Sequence, residues 1–151
     1  MEREILYFDN TPSELVKAED TYLSNYEIAP IIVNGLEYKT NEHYFQANKF
    51  SGADLEAVRQ APTPDESKKI AWTLPLDRTE WEERKEAVMM QGLLYKFEQH
   101  PALLEKLLRT GNSRIVEESD SDMYWGGTLP GSKNRLGEML EEIREKHLKN
   151  N

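Results

Sequence analysis

The chain has no cysteine and only three histidines among its 151 residues. The first absence excludes disulfides, thiolate catalysis and cysteine-built zinc sites. The second leaves a histidine-rich metal centre without its ligands, so neither metal nor cofactor is expected. Long apolar runs are also missing. The opening stretch MEREILYFDN has neither a basic n-region nor an apolar h-region, and nothing further on approaches the length that spans a bilayer, which points to a cytoplasmic protein with no membrane partner. Basic residues are in deficit, 19 Lys and Arg against 28 Asp and Glu, for a net charge of -9. No basic stripe grips a phosphate backbone, so no extended nucleic-acid interface is expected. One or two well-placed cations still suffice for a phosphorylated small molecule.

What is present suits an ordinary soluble globular chain: 38% hydrophobic and 31% charged residues, with a mean hydropathy of -0.77. The length fits one domain, 1–151, large enough to bury roughly two thirds of its unfolded surface. Nothing in the sequence bears on oligomeric state.

Strand material appears at ILYF (5–8), at IIVNGLEYKT (31–40) and at SRIVEES (113–119). In the second, Asn34-Gly35 between two apolar runs is a strong hairpin signal. Asn41 offers an N-cap to a helix from Glu42, stopped by Ser51-Gly52. Thr63 and Pro64 open a short helix through about Trp72. Thr79 caps a long helix from Glu80 to about Gln99, with Trp81, Val88, Gly92 and Tyr95 on one face. A helix follows Pro101 and closes at Gly111, and RLGEMLEEIREKHLK is a terminal amphipathic helix with basic residues at its C-terminal end. Four or five helices against three or four short strands, without βαβ alternation, predict a compact α+β, helix-dominated domain.

The stretch NEHYFQANKF (41–50) mixes aromatics with reactive groups. On a helical wheel Glu42, Gln46 and Lys49 form one polar stripe bordered by Phe45 and Phe50, with Tyr44 and Asn48 on the far side. Glu42 and Lys49 are two turns apart, too far for a surface ion pair. The stripe is either solvated or part of a buried site helix. His43, on the apolar side, reads as a hydrogen-bonded core residue. In SDMYWGG, Asp122 beside Trp125 suits a sugar or base held by hydrogen bonds and stacking, with Gly126 and Gly127 admitting a ligand close to the backbone; a turn with Trp125 plugging the core is the other reading, and on these residues alone the readier one. GSKNRLG places Lys133 and Arg135 around a helix N-terminus that favours anions, while simple capping accounts for Asn134. Arg84 flanks the apolar face of the long helix and either enters a pocket or snorkels outward.

In order, YLSNY, VNGLEYKTNEHYFQANKF, the Trp81, Arg84, Met89, GLLYKF series, LLRTGNSRIVEES, Asp122 with Trp125-Gly126, and KNRLG resemble the YbiA-like, or NADAR, family. The resemblance runs from about Leu23 to Leu148 and includes the composite Glu-His-Tyr-x-Gln-x-x-Lys-Phe. Tyr26 stands where the family often has Phe, and the loop after Trp125 continues as GGTLPGSKN.

The resemblance implies a helix-rich α+β fold and N-glycosidase activity on one of two substrate types. One is the phosphorylated ribosylamino-pyrimidine intermediates of riboflavin biosynthesis; the other is ADP-ribose attached to guanine, in nucleotides or DNA. In both, the bond broken joins the anomeric carbon to an exocyclic amine, whose lone pair can open the sugar to an imine. A neutral lysine could then displace the amine through a Schiff base. On this reading Lys49 is the nucleophile and Glu42 the general acid/base. Asp122 holds ribose hydroxyls, Trp81 and Trp125 stack, and Arg84 with the Lys133–Arg135 turn takes phosphate. Ser24, Asn25, Gln46, Gly126 and Asn134 complete the substrate contacts. Direct hydrolysis assisted by Glu42 or Asp122 is the non-covalent alternative, and a non-catalytic nucleotide-binding module is the alternative outside enzymes.

Overall fold

The structure is a computed structural model and describes residues 2–150. In chain order its elements are β1 (Ile5–Phe8), a 3-10 helix (Ala18–Leu23), β2 (Ile31–Val33), β3 (Leu36–Tyr38), α1 (Asn41–Ala47), α2 (Gly52–Arg59), α3 (Pro64–Trp72), α4 (Arg78–Gln99), α5 (Pro101–Arg109), β4 (Arg114–Glu117) and α6 (Arg135–Lys149). This is the α+β, helix-dominated class expected, with short strands. The contacts gather into two compact units, one of Asn25–His100 and the other of the chain up to Ser24 together with that from Pro101 onward.

In the Asn25–His100 unit, β2 and β3 pair antiparallel with Ile31 opposite Tyr38 and Val33 opposite Leu36. Asn34 and Gly35 turn between them with φ of 51° and 80°, the doubly left-handed geometry that an Asn-Gly pair adopts most readily. The inward residues Ile31 and Tyr38 join Tyr44, Ala47, Val58 and Ala71 in one core, against which Phe50, Val88 and Tyr95 pack. Tyr44 meets Tyr38 and Tyr95 edge to face, with centroids 5.1 and 5.9 Å away, contacts worth ~0.5–1.5 kcal/mol each beyond area burial. Gly92 on α4 is what lets α1 approach: a Cβ there would lie 1.9 Å from Asn41 Oδ1 and 2.7 Å from Tyr44 Cδ1.

Three local expectations shift. Thr40, not Asn41, caps α1, its hydroxyl accepting from His43 N at 3.1 Å. Asp77, not Thr79, caps α4, accepting from Glu80 N at 3.1 Å. In each case an oxygen one or two residues earlier meets the orphan N–H first. Ser51-Gly52 does not close α1 but opens α2, a helix the sequence reading lacked; Gly52 stands at its start with φ of 62°, and Val58 is its one fully buried residue.

In the other unit β1 runs parallel to β4, Ile5 opposite Arg114 through Phe8 opposite Glu117. Helix α6 packs on β4 through Gly137, whose absent Cβ would lie 2.0 Å from Ile115 O. Phe8, Leu107, Ile115, Leu136, Leu140 and Ile143 are fully or almost fully buried. Arg144 is buried with them, donating to Thr110 Oγ1 at 2.9 Å and lying 3.7 Å from both Glu141 and Glu145.

Candidate active site

Every residue of α1 is buried, so the helix carries its polar groups into the interior and has no solvated stripe. Its start is fixed from Asn25, whose carbonyl accepts from Glu42 N at 3.0 Å and whose Oδ1 accepts from Asn41 Nδ2 at 2.8 Å. Glu42 is 8% exposed and Gln46 4%. Gln46 Nε2 donates to Glu42 Oε2 at 2.7 Å, a charge-assisted hydrogen bond that holds the carboxylate in place.

Lys49 lies just beyond the helix. After Ala47 the chain tightens: Lys49 N donates to Gln46 O and Phe50 N to Ala47 O, bonds of 3-10 type. The α-helical wheel therefore misplaces these two residues. Phe50 turns to the core, while the Lys49 ammonium sits 5.7 Å from the ring centroids of Phe45 and Trp81, which themselves meet edge to face at 5.1 Å. Trp81 thus takes the place that Phe50 has on the wheel. Burial lowers the Lys49 pKa from its ordinary value; Glu42 works against that shift, and Lys68 and Arg78 add to it. An amine so placed is biased toward its neutral, nucleophilic form.

Arg84 stays at the surface, with its side chain 41% exposed, so the outward alternative is the one it takes. It stacks over Trp81 at 5.3 Å, pairs with Glu80 one turn away, and donates through Nη2 to Asn48 O at 3.1 Å. His43 is the hydrogen-bonded core residue expected. Its Nε2 lies 2.9 Å from Ala61 O and its Nδ1 2.8 Å from Thr40 Oγ1. A carbonyl can only accept, so Nε2 carries the proton, and burial lowers the ring's pKa.

The remaining candidates belong to the other unit. Asp122 Oδ1 accepts from Tyr124 N at 2.9 Å and Trp125 N at 2.8 Å, folding the loop so that Tyr124 and Trp125 meet edge to face at 4.8 Å. Gly126 and Gly127 are crowded by their own chain. A Cβ at Gly126 would lie 2.7 Å from Ser119 Cβ, and one at Gly127 2.5 Å from Asn134 Oδ1, so close packing alone accounts for both. Asn134 precedes α6 with φ of 53°, but its side chain makes no cap bond. The carboxamide instead completes strand β4: Nδ2 donates to Ile115 O at 2.8 Å and Oδ1 accepts from Glu117 N at 3.1 Å. Arg135 is paired with Glu138 and Glu142, and Lys133 lies over the Tyr124 ring at 5.2 Å. Ser24 is buried, its N donating to Thr21 O. A cavity of about 370 Å³ in this unit, lined by Tyr7, Tyr22, Lys106 and Arg109 among others, contains none of the sequence-picked residues. No group of three or more His, Cys, Asp or Glu among the described residues could hold a metal, and no helix among them is long and apolar enough to cross a membrane.

Sequence reasoning missed Lys96. It is 1% exposed on α4, near Glu27, and burial pushes its pKa down to about 7. The signal was there, because Lys96 stands one helical turn after Gly92, on the face that packs inward.

Among the structure's chemical features, a buried carboxylate, a carboxamide holding it and a desolvated amine on one short segment form the combination that transfers protons and attacks an electrophilic carbon. The model of the NADAR domain matches residues 7–148. The chain belongs to the NADAR family. It is 42% identical over 129 residues to N-glycosidase YbiA of Escherichia coli, covering 81% of this chain and 78% of that one. An N-glycosidase of Nostoc punctiforme is 34% identical, with 81% and 82% covered. The chloroplastic riboflavin biosynthesis protein PYRR of Zea mays is 36% identical over 74% of this chain but only 20% of its own length. The NMR structure of E. coli YbiA superposes with a TM-score of 0.81 at 36% identity, covering 99% of this chain and 88% of that one. NADAR membership with relatives of this coverage makes N-glycosidase the activity class of the chain.

Proposed function

We propose that the chain hydrolyses the C–N bond between ribose phosphate and an exocyclic amine, with ribosylamino-pyrimidine phosphates of riboflavin biosynthesis as substrates. The observation that carries this reading is the Lys49 amine, depressed in pKa by burial, following a helix that buries Glu42 and Gln46. Similarity to a plant protein named for riboflavin biosynthesis supports the choice of substrate.

The chemistry runs in two halves. The substrate nitrogen's lone pair opens the ribose ring, giving an imine at the anomeric carbon. Lys49 Nζ adds to that carbon; Glu42 delivers a proton to the departing nitrogen, which leaves with the C–N bonding pair as the free amine. The Schiff base left on Lys49 is then attacked by water, whose proton passes to Glu42, and ribose phosphate departs with Lys49 restored. Arg84 is proposed to meet the phosphate. Trp81 is proposed to stack on base or sugar. Cytoplasmic location and a single-domain organisation belong to the same proposal; the family match running through both units supports the latter.

ADP-ribose attached to guanine is the second reading, since the same amine chemistry serves it. Incubation with a ribosylamino-pyrimidine 5′-phosphate and, separately, with ADP-ribosylated guanosine tests the choice. Release of ribose phosphate from the first at the higher kcat/KM is expected. Faster release of ADP-ribose from the second would reverse the assignment, and product from neither would leave a binding module.

A further inference from the structure

Gln46 has a second polar atom, and none of the described residues meets it. Its Oε1 is buried and accepts no hydrogen bond. The orientation of the carboxamide is not arbitrary, since its other end lies 2.7 Å from Glu42 Oε2 and a carboxylate can only accept. With Glu42 Oε2 accepting, the nitrogen faces Glu42 and the oxygen is left as a buried acceptor beside it, the proton that Glu42 delivers being carried on Oε1. Asn41 Oδ1 is also without a hydrogen-bond partner, but it lies against the backbone of α4 where Gly92 leaves room for it. A buried acceptor left empty is costly, and native structures rarely keep one without a use.

We propose that Gln46 Oε1 accepts the N–H of the scissile nitrogen and so makes the site specific for exocyclic N-glycosides. The inference rests on the N-glycosidase reading above and deepens it. A nitrogen that takes a proton from Glu42 must stand beside Glu42, and hence beside the carboxamide that Glu42 anchors. An exocyclic glycosidic amine carries one N–H before the bond breaks. A ring nitrogen bonded to ribose, as in ordinary nucleosides, carries none and would leave Oε1 buried and unpaired. Sites that lose a designed hydrogen bond in this way discriminate far more strongly than apolar pockets do. As Glu42 protonates the nitrogen, the N–H becomes a charged donor, so the contact strengthens toward the transition state.

The experiment uses the full chain with a ribosylamino-pyrimidine 5′-phosphate, its N-methyl analogue, and an isomer with the methyl on the neighbouring pyrimidine carbon as a size control. Wild type is expected to lose about tenfold or more in kcat/KM on the N-methyl compound relative to the C-methyl isomer. In Gln46→Met that ratio should fall close to one, with the loss on the parent substrate falling on kcat more than on KM. Equal wild-type rates on the two methylated compounds overturn the inference even if the variant does not fold, as does a ratio unchanged in a folded Gln46→Met. No turnover of the parent substrate by wild type overturns the underlying N-glycosidase reading and takes this one with it.

Discussion

Lys49 Nζ lies 5.7 Å from the centre of the Trp81 ring. Two effects of that ring oppose each other: a cation over an aromatic face is stabilised, whereas removal from water disfavours it. The net shift of the Lys49 pKa is downward with burial as its largest cause, so desolvation wins and the amine is held toward its neutral form.

That balance can be moved from outside. Lys68 helps depress the Lys49 pKa, and Lys68→Glu replaces a like charge with an opposite one. The amine then stays protonated to higher pH. If neutral Lys49 is the nucleophile, the rising limb of the pH–rate profile should move to higher pH in Lys68→Glu, with the rate above that limb unchanged. An unmoved limb would separate the rate-controlling titration from Lys49.

Gly92→Ala tests the seating of α1. The new Cβ would collide with Asn41 Oδ1 and Tyr44, neither of which can retreat within a packed core. Overpacking of this kind costs ~1–3 kcal/mol, and the displaced helix carries Glu42 and Gln46. A lower Tm together with a fall in kcat is expected; a variant with wild-type Tm would contradict the close approach of α1 and α4.

Asn134→Leu removes the carboxamide that completes β4. Two backbone groups, the buried Ile115 O and the half-buried Glu117 N, lose these hydrogen bonds, at ~1–3 kcal/mol for the buried one and less for the other, and leucine is poorly suited to the φ of 53° at this position. Thermal unfolding should begin roughly 5–15 °C lower. Were Asn134 only a substrate contact, Tm would hold and KM alone would rise.

Lys96 makes stability depend on pH in a defined direction. Its pKa is about 7 in the folded chain against an ordinary 10.5, so between those values the unfolded chain binds a proton that the folded chain does not. Stability from this group therefore rises with pH across that window, and its full penalty applies below about 7. Lys96→Met should raise Tm more at pH 6 than at pH 9.5. Thermal melts at the two pH values check this, and equal gains would contradict it.

Local chemistry made much of the fold legible. The Asn34-Gly35 hairpin, the Thr63-Pro64 start of α3 and the amphipathic α6 follow from rules confined to a few neighbouring residues, and the structure has all three. The wheel failed at Lys49 because it assumes that the helix continues, whereas α1 ends at Ala47 and its final turn tightens. Asn134 was legible as special but not as a strand partner, since its hydrogen bonds reach back 17 and 19 residues. Lys96 escaped notice because a lysine is normally solvated, an expectation that outweighed its place one helical turn after Gly92; in the fold it is 1% exposed.

On the Schiff-base route, Lys49 becomes covalently attached to the sugar during turnover. Borohydride reduction during incubation with a ribosylamino-pyrimidine 5′-phosphate, followed by peptide mass spectrometry, tests it most directly. A reduced ribose phosphate adduct on Lys49, absent from Lys49→Arg, is expected, together with loss of turnover in Lys49→Ala. No adduct, with Lys49→Ala retaining near-normal kcat, would contradict it and leave direct attack by water.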